Sequence, residues 1–180
     1  MTFNFEIDTS WCLEQLQKDG RITEREKMLV QTTHRQRDQL KWHPLQWIAN
    51  FNLADLSHPQ SKLTLNRLCQ WLSEKADLPF YIIDPLKADV QALTSVMSQE
   101  FAMRNKILAV ELQNEYVLIA TDQPYKSEWV GNLERTVLPR KIKRVLLSPD
   151  QLQRYLVEYY QVSRAVNSSQ KSSSYDRENK

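Results

Sequence analysis

The stretch LPFYIIDPLK, residues 78–87, marks the point at which the hydrophobic pattern of this sequence changes. Residues 80–83 form a short continuous apolar run between Pro79 and the Asp84-Pro85 pair, which is typical of a buried strand. Upstream, apolar residues recur at helical spacing, whereas downstream short β-rich runs alternate with helical segments. The pattern therefore predicts an α+β fold, with a helical N-terminal subdomain at residues 1–76 and an α+β domain at residues 77–162.

Residues 1–76 have the pattern of four short helices. Gly20 is placed to end the first helix, the capping-box sequence TERE at residues 23–26 opens the second, and Pro44 stands in the first turn of the third. The second helix has a thin apolar set, Met28, Leu29 and Val30. The fourth is the clearest, because four residues recur at i, i+3, i+4 and i+7 and predict one buried stripe: Leu65, Leu68, Cys69 and Leu72.

Downstream of residue 87 the elements follow in a regular alternation. The β-rich runs 107–112 and 116–121 are separated by three residues, which predicts an antiparallel hairpin. Helical spacing recurs before and after this hairpin, and residues 142–147 form another apolar run. Ser148 and Pro149 then open a last helix. The predicted order is β-α-β-β-α-β-α, a small sheet of three to four strands with helices.

The C-terminal residues 163–180 lose this pattern. Residues 167–175, NSSQKSSSY, contain five serines and no aliphatic side chain. Such a segment buries too little apolar surface to offset its ordering entropy. We therefore expect a flexible, Ser-rich linker, or disordered tail, over residues 163–180.

The composition excludes several classes of protein. Lys+Arg number 24 against 22 Asp+Glu, and 41% of residues are hydrophobic, which is typical of a soluble globular protein. There are 2 glycines, where average usage of about 7% would give roughly 13. Neither glycine lies in a phosphate-binding loop or a dinucleotide-binding turn, so we expect no binding or hydrolysis of ATP. The sequence also has no apolar run long enough to span a bilayer and no signal peptide, which indicates no direct membrane insertion.

Neither a catalytic nor a metal site is indicated, and no cofactor is expected. Cys12 and Cys69 occupy apolar helical positions, where a small buried side chain is the default. His34, His43 and His58 lack metal-ligand spacing, and we expect them to be surface or capping residues.

Two groups of residues are candidates for partner binding. The first is aromatic and crowds the first fifty residues: Phe3, Phe5, Trp11, Trp42 and Trp47. An arm of alternating residues that includes Phe3 and Phe5 could add as an edge strand to a partner's sheet. Alternatively, the three tryptophans close a small core over the helix at residues 64–76, which leaves the docking role open.

The second group is a basic patch within residues 139–144. It contains Arg140, Lys141, Lys143 and Arg144. Clustered cations could contact nucleic acid or anionic lipid. The favoured alternative is an edge strand whose outward residues are charged to discourage pairing, since Ile142 would point inward. We expect no nucleic-acid partner.

Several segments of the chain resemble the N-terminal domain of the type II secretion and type IV pilus assembly ATPases, the GspE/PilB-like family. The segment at residues 78–90 resembles the family's "GLPyvdiDPlkiDv" opening, and further matches follow in the right order. They include Ala102-x-Arg104 with Ile107-Leu108, Ile119-Ala120-Thr121-Asp122-x-Pro124, Trp129 with Leu133, and Arg144-Val145 with Pro149, Tyr155 and Tyr159. The resemblance covers about residues 70–162, with a weaker match upstream at residues 43–47. Ala109 departs from the family, which usually has proline there.

The resemblance implies a non-catalytic docking and regulatory region that couples an ATPase motor domain to the cytoplasmic domain of an inner-membrane platform protein. It also implies a cytoplasmic location, peripheral to the inner membrane through that partner. The alternative in the same family is a cyclic di-GMP sensing module. Relatives that bind this nucleotide carry an Arg-Leu-Gly helix start, where this chain has Trp11-Cys12-Leu13.

Overall fold

The computed structural model describes the backbone of residues 4–178 and the surroundings of side chains as far as residue 173. It divides into two compact units. Unit 1 contains the chain up to Phe80 together with Gln123–Ser127, and unit 2 contains Tyr81–Asp122 and the chain from Glu128 onward. The fold is α+β, as predicted. The assignment of Gln123–Ser127 to unit 1 is a long-range feature that the sequence pattern does not indicate.

The described residues of unit 1 form four α-helices and a short 3-10 helix: α1 Thr9–Lys18, α2 Glu24–Thr32, the 3-10 helix Arg37–Lys41, α3 Pro44–Ala49 and α4 Leu65–Ala76. The Asp8 side chain caps α1 by accepting a hydrogen bond from the Trp11 amide at 2.8 Å. Thr23 and Glu26 form the predicted capping box of α2. Gly20 has φ of +70°, which fits its predicted place after the end of α1.

Helix α4 carries the most regular buried stripe of unit 1. Thr64 caps its N-terminus, and Leu68, Cys69 and Leu72 are buried as the spacing predicts. Trp71 is also buried. The helix ends at Asp77, whose φ of +53° lies in the left-handed region. Helix α2 instead buries Val30, while the other two apolar residues of that helix face solvent.

The described residues from Phe80 onward form four strands and four helices, and all of these residues except Phe80 belong to unit 2: β1 Phe80–Tyr81, α5 Val90–Thr94, α6 Gln99–Asn105, β2 Ile107–Leu112, β3 Tyr116–Thr121, α7 Val130–Val137, β4 Lys141–Leu147 and α8 Pro149–Glu178. This is the predicted order with one helix added. The extra helix arises because α5 ends at Ser95 and the Ser98 side chain caps a new helix, α6.

The strands form one sheet in the order β1-β4-β3-β2. Strands β2 and β3 pair antiparallel, which confirms the predicted hairpin, and their register shifts between Ala109 and Glu111. Strands β3 and β4 run parallel, with Tyr116 opposite Lys141 and Thr121 opposite Leu146. Strand β4 therefore lies inside the sheet, and the interpretation of the basic patch as an edge strand is wrong.

The first strand is shorter than the sequence predicts. Only Phe80 and Tyr81 are in β1, and both are half-buried, while Ile82 is 62% exposed. The amide of Ile83 donates to Gln151 Oε1 at 3.1 Å. Because a side chain of α8 takes this amide, pairing with a neighbouring strand does not continue beyond Tyr81.

The last helix is longer than the sequence predicts. The pattern ends it near residue 162, whereas α8 continues to Glu178. Serine hydroxyls along this extension donate to carbonyls three or four residues earlier, as Ser168 does to Arg164 at 2.9 Å. These bonds stay within the helix and attach it to no other element. The flexibility expected for residues 163–180 stays a prediction, and residues 179–180 lie outside the described part of the chain.

Candidate functional site

The N-terminal arm of unit 1 is held by the segment Gln123–Ser127. The Phe5 amide donates to the carbonyl of Tyr125 at 3.1 Å, and the Phe5 ring stacks on the Tyr125 ring with centroids 4.9 Å apart. Trp11 packs against both rings, at 5.8 Å from Phe5 and 5.3 Å from Tyr125. The arm therefore pairs within the chain rather than standing free. Phe3, the other aromatic residue proposed for the arm, lies outside the described residues.

Two further candidate aromatics form a second cluster. Trp47 is 3% exposed and lies edge-on to Trp42, with ring centroids 6.4 Å apart, and to Phe51, with centroids 5.0 Å apart. The guanidinium carbon of Arg35 lies 4.8 Å from the centroid of the Trp47 ring. Phe5 and Trp11 thus belong to one cluster, and Trp42 and Trp47 to another. Trp47 has almost no surface to offer a partner.

Unit 1 also exposes apolar side chains that the sequence reasoning did not nominate. Met28 and Leu29 of α2 are 54% and 51% exposed, and Leu40 is 64% exposed. Val30 is the buried residue of α2, and the two residues before it face solvent. The thin apolar pattern of this helix was the signal that could have identified them.

A buried carboxylate, Asp55, connects the loops of unit 1. It accepts hydrogen bonds from Arg21 Nε at 2.9 Å and from the Ser57 hydroxyl at 2.6 Å, and Arg67 Nη1 lies 3.4 Å away. Burial by itself raises the pKa of Asp55, but the hydrogen bonds from Arg21 and Ser57 and the charge of Arg21 outweigh it. The pKa therefore lies well below its ordinary range, and the carboxylate stays ionised.

A polar cleft of about 540 Å³ lies beside this carboxylate in unit 1. Arg21 and Arg67 line it, together with His58. The two guanidinium groups and the imidazole are the groups that could hold an anion here. The sequence reasoning missed Asp55 and both arginines, because residues of three separate segments meet only in the folded chain.

The basic patch of unit 2 lies on and beside β4. Lys141 and Lys143 are exposed, while Arg140 and Arg144 are half-buried. Arg140 Nε donates to the Gln113 carbonyl at 2.7 Å, and Lys143 Nζ lies 4.2 Å from the centroid of the Tyr116 ring. Part of this charge is therefore engaged in contacts within unit 2.

A second cleft, of about 290 Å³, opens in unit 2 among tyrosines and carboxylates. Tyr81, Tyr159, Asp84 and Glu111 line it, with Lys87 at its rim. Burial is the largest cause that raises the pKa of Tyr159, to about 12, and the Asp84 charge adds to it. Burial and then the charges of Glu111 and Asp84 also raise the pKa of Tyr81.

The predicted roles of the cysteines and histidines are confirmed for the described residues. Cys12 and Cys69 are buried free thiols, and burial strongly raises the pKa of Cys12. His43 Nδ1 accepts a hydrogen bond from the Leu45 amide at the start of α3, so it caps that helix. Among the side chains of residues 4–173, no group of three His, Cys, Asp or Glu residues is arranged to hold a metal ion. Over the same described part, no helix combines the length and hydropathy that a bilayer crossing needs.

Comparisons with known proteins agree with the resemblance found in the sequence. The chain is 66% identical, over all 180 residues, to the type IV pilus assembly ATPase TfpB of Acinetobacter baylyi, and it spans 31% of that relative. The solved structure of MshE with cdg matches 83% of this chain and 98% of its own with a TM-score of 0.55 at 16% identity, which shows a shared fold. The N-terminal domain of XpsE matches 84% of this chain and 96% of its own with a TM-score of 0.45 at 14% identity.

A protein-family model also matches the chain and assigns it to a domain family. The model of the MshEN domain matches residues 76–166, just over half of the chain, and the matched part begins at the end of α4 and covers the whole sheet. The predicted membership among the N-terminal domains of type IV pilus and type II secretion ATPases is therefore confirmed, and this chain belongs to the MshEN domain family.

Proposed function

We propose that this chain is the non-catalytic docking and regulatory region of a type IV pilus or type II secretion ATPase. In this proposal it couples the motor domain of its own ATPase to the cytoplasmic domain of an inner-membrane platform protein. It would act in the cytoplasm, peripheral to the membrane through that partner. The 66% identity to a type IV pilus assembly ATPase over all 180 residues carries the proposal.

The exposed apolar surface of unit 1 supports a docking role for that unit. Met28 and Leu29 stand next to each other on α2, and each exposes about half of its surface. Trp11 and Trp42 keep part of their rings at the surface. Methionine and aromatic side chains are enriched in protein interfaces. We therefore place the docking contact on unit 1, with Met28 and Leu29 added to Trp11 and Trp42.

A pull-down with the full-length ATPase tests this placement. The change Met28→Ser with Leu29→Ser should reduce capture of the cytoplasmic domain of the platform protein at least tenfold, or about 1.4 kcal/mol. The matched control makes the same two changes, methionine to serine and leucine to serine, in unit 2. It replaces Met103 and Leu138, which are 52% and 69% exposed. This control should leave capture unchanged.

The basic patch is the competing docking site. The change Lys141→Gln with Lys143→Gln removes two exposed charges without removing an apolar contact from the core of unit 2. If capture survives the α2 changes and is lost with these two, the docking contact belongs to unit 2 and the placement on unit 1 is wrong.

The non-catalytic assignment is tested with nucleotide. Calorimetry of the 180-residue chain with Mg-ATP should detect no binding, because no glycine-rich loop presents backbone amides to phosphates. Stoichiometric binding with micromolar affinity would contradict it.

Cyclic di-GMP sensing is a second candidate function. MshE, which shares the fold, is described with cdg, and the cleft beside Arg21 and Arg67 falls within the usual range of ligand sites, roughly 300–1,000 Å³. Against it, Asp55 already engages both guanidinium groups. Calorimetry with cyclic di-GMP distinguishes the two functions. Sensing at this cleft requires that the nucleotide binds and that Arg67→Gln weakens the binding, whereas a docking role requires no nucleotide binding.

A further inference from the structure

The cleft of unit 2 has a composition that neither proposed function uses. Its walls carry two carboxylates, Asp84 and Glu111, and the rings of Tyr81 and Tyr159, and its apolar lining comes from Ile83, Ala88 and Val110. Asp84 is exposed, and Glu111 is half-buried. A phosphate would be repelled by this lining, whereas a cation would find opposite charge and aromatic faces together.

The Tyr159 side chain is the second observation that points to a ligand. The residue is 4% exposed and lies in the wall of the cleft. Within the described part of the chain its hydroxyl makes no hydrogen bond, whereas the neighbouring Tyr160 hydroxyl donates to the Met97 carbonyl at 2.9 Å. Because this hydroxyl is not one of the fully buried unpaired atoms, it is open to a group that enters the cleft. The cleft is thus left with an unused hydrogen-bonding group on its wall.

The carboxylates retain acceptor capacity for a cationic ligand. Glu111 Oε1 accepts from the Tyr116 hydroxyl and from Gln113 Nε2, each at 3.0 Å, and Asp84 Oδ1 accepts from the Leu86 amide at 3.1 Å. The cation already present, Lys87, lies 3.8 Å from Asp84 Oδ2 and its side chain is 86% exposed. Such an exposed pair is weak, so Lys87 can give way to a better-seated cation.

We infer that this cleft is a docking site for an arginine side chain presented by a partner protein. A planar guanidinium can bond carboxylates with two parallel N–H groups and stack on a tyrosine face, which the compact ammonium of lysine cannot do in the same way. The volume of about 290 Å³ lies at the lower limit of ligand sites, which fits one side chain. This inference does not depend on platform docking through unit 1.

Titration of the ¹⁵N-labelled chain with N-acetyl-arginine methylamide, followed by amide chemical shifts, tests the inference. Shifts should concentrate at residues 81–88, 110–113 and around Tyr159. The matched probe is N-acetyl-citrulline methylamide, which has nearly the same shape and no charge and should leave these amides in place. N-acetyl-lysine methylamide should bind at least threefold more weakly than the arginine compound.

Variants assign the binding to the named groups. The pair Asp84→Asn with Glu111→Gln keeps the size of each side chain and one acceptor oxygen in each, and it removes both charges. It should weaken arginine binding about tenfold, as expected for loss of charge-assisted hydrogen bonds. The matched control, Glu100→Gln with Glu134→Gln, removes two exposed charges of unit 2 outside the cleft. Lys87→Ala should strengthen binding, because it removes the competing cation.

Four outcomes would overturn the inference. The first is that millimolar N-acetyl-arginine methylamide causes no amide shifts at the cleft, and the second is that the citrulline compound causes equal shifts. The third is that the control pair of variants weakens arginine binding as much as the cleft pair does. The fourth is that spermidine binds more tightly than the arginine compound. The last would assign the cleft to a free polyamine rather than to a protein side chain. The amide spectrum also reports whether each variant is folded, and failure of platform capture would leave these results unaffected.

Discussion

Unit 1 surrounds a fully buried carboxylate, Asp55, with two arginines, whereas the centre of unit 2 around Ile119 and Leu147 is built from apolar side chains. Apolar burial is non-directional and scales with the area removed from water. An ion pair in contrast depends on geometry, on both partners and on pH. The two units should therefore respond differently to the same kinds of perturbation.

The largest expected effect is a cavity in unit 2. Ile119 in β3 has no exposed surface, so Ile119→Ala should lower the free energy of unfolding by about 4 kcal/mol. Urea denaturation followed by far-UV circular dichroism measures it. Ile119→Val is the matched control and should cost about 1 kcal/mol. If the alanine variant costs no more than the valine variant, the core of unit 2 is less tightly packed than the burial indicates.

Loss of the Asp55 carboxylate should be the largest single effect in unit 1. Asp55→Ala leaves the Arg21 guanidinium, 15% exposed, without its carboxylate, and we expect a loss of about 3 kcal/mol. Tryptophan fluorescence suits this measurement, because four of the five tryptophans belong to unit 1: Trp11, Trp42, Trp47 and Trp71.

The control for this variant is an exposed pair in unit 2. Arg154 and Glu158 pair at 2.9 Å, and their side chains are 64% and 47% exposed. Glu158→Ala should have no measurable effect on unfolding. If Asp55→Ala and Glu158→Ala lower the free energy of unfolding equally, burial does not make the Asp55 ion pair more important than an exposed one.

Unit 2 was more predictable from sequence than unit 1, and the reason is physical. The hairpin of β2 and β3 and the order of strands and helices in unit 2 follow from short apolar runs and periodic patterns, as the stripe of α4 does in unit 1. Asp55 and its arginines follow no pattern, because their meeting is set by loops that connect distant segments. The docking of Tyr125 on Phe5 is equally long-range, and the sequence gives no periodic sign of it.

Phe5→Ala should have an intermediate effect on unit 1. The ring stacks on Tyr125 and is half-buried, so its removal should cost about 1.5 kcal/mol and lower Tm by about 3–6 °C. Scanning calorimetry measures the change in Tm, with Phe5→Tyr as the control that keeps the ring. An unchanged Tm in the alanine variant would show that the arm does not stabilise unit 1.

Acid should weaken unit 1 through Asp55. Its pKa is lower in the folded chain than the ordinary value of about 3.9, so its contribution is fully present above about pH 5 and is lost as the pH falls toward the folded value. One proton taken up on unfolding gives a slope of up to about 1.4 kcal/mol per pH unit. Between pH 4 and pH 3 we expect the wild type to lose about 1 kcal/mol more than Asp55→Asn. If the free energy of unfolding falls equally with pH in the wild type and in Asp55→Asn, the lowered pKa of Asp55 is contradicted.

The smallest effect should come from the end of α8, where the side-chain hydrogen bonds stay within the helix. As far as residue 167, α8 contacts other elements: Thr94 donates to Ser163 at 3.0 Å, and Gln91 donates to Asn167 at 3.2 Å. Residues 168, 169, 172 and 173 instead donate to carbonyls of their own helix. The side chains of residues 168–173 are exposed, so this helical end should exchange its amide protons rapidly. Truncation after Asn167 should therefore change the free energy of unfolding by less than about 0.5 kcal/mol.

Hydrogen exchange measures the local stability of this helical end directly, with residues 150–160 of the same helix as the internal control. Strong protection within residues 168–178 would show that the extension is part of the stable core of unit 2 and that the flexible linker predicted from its serines is wrong.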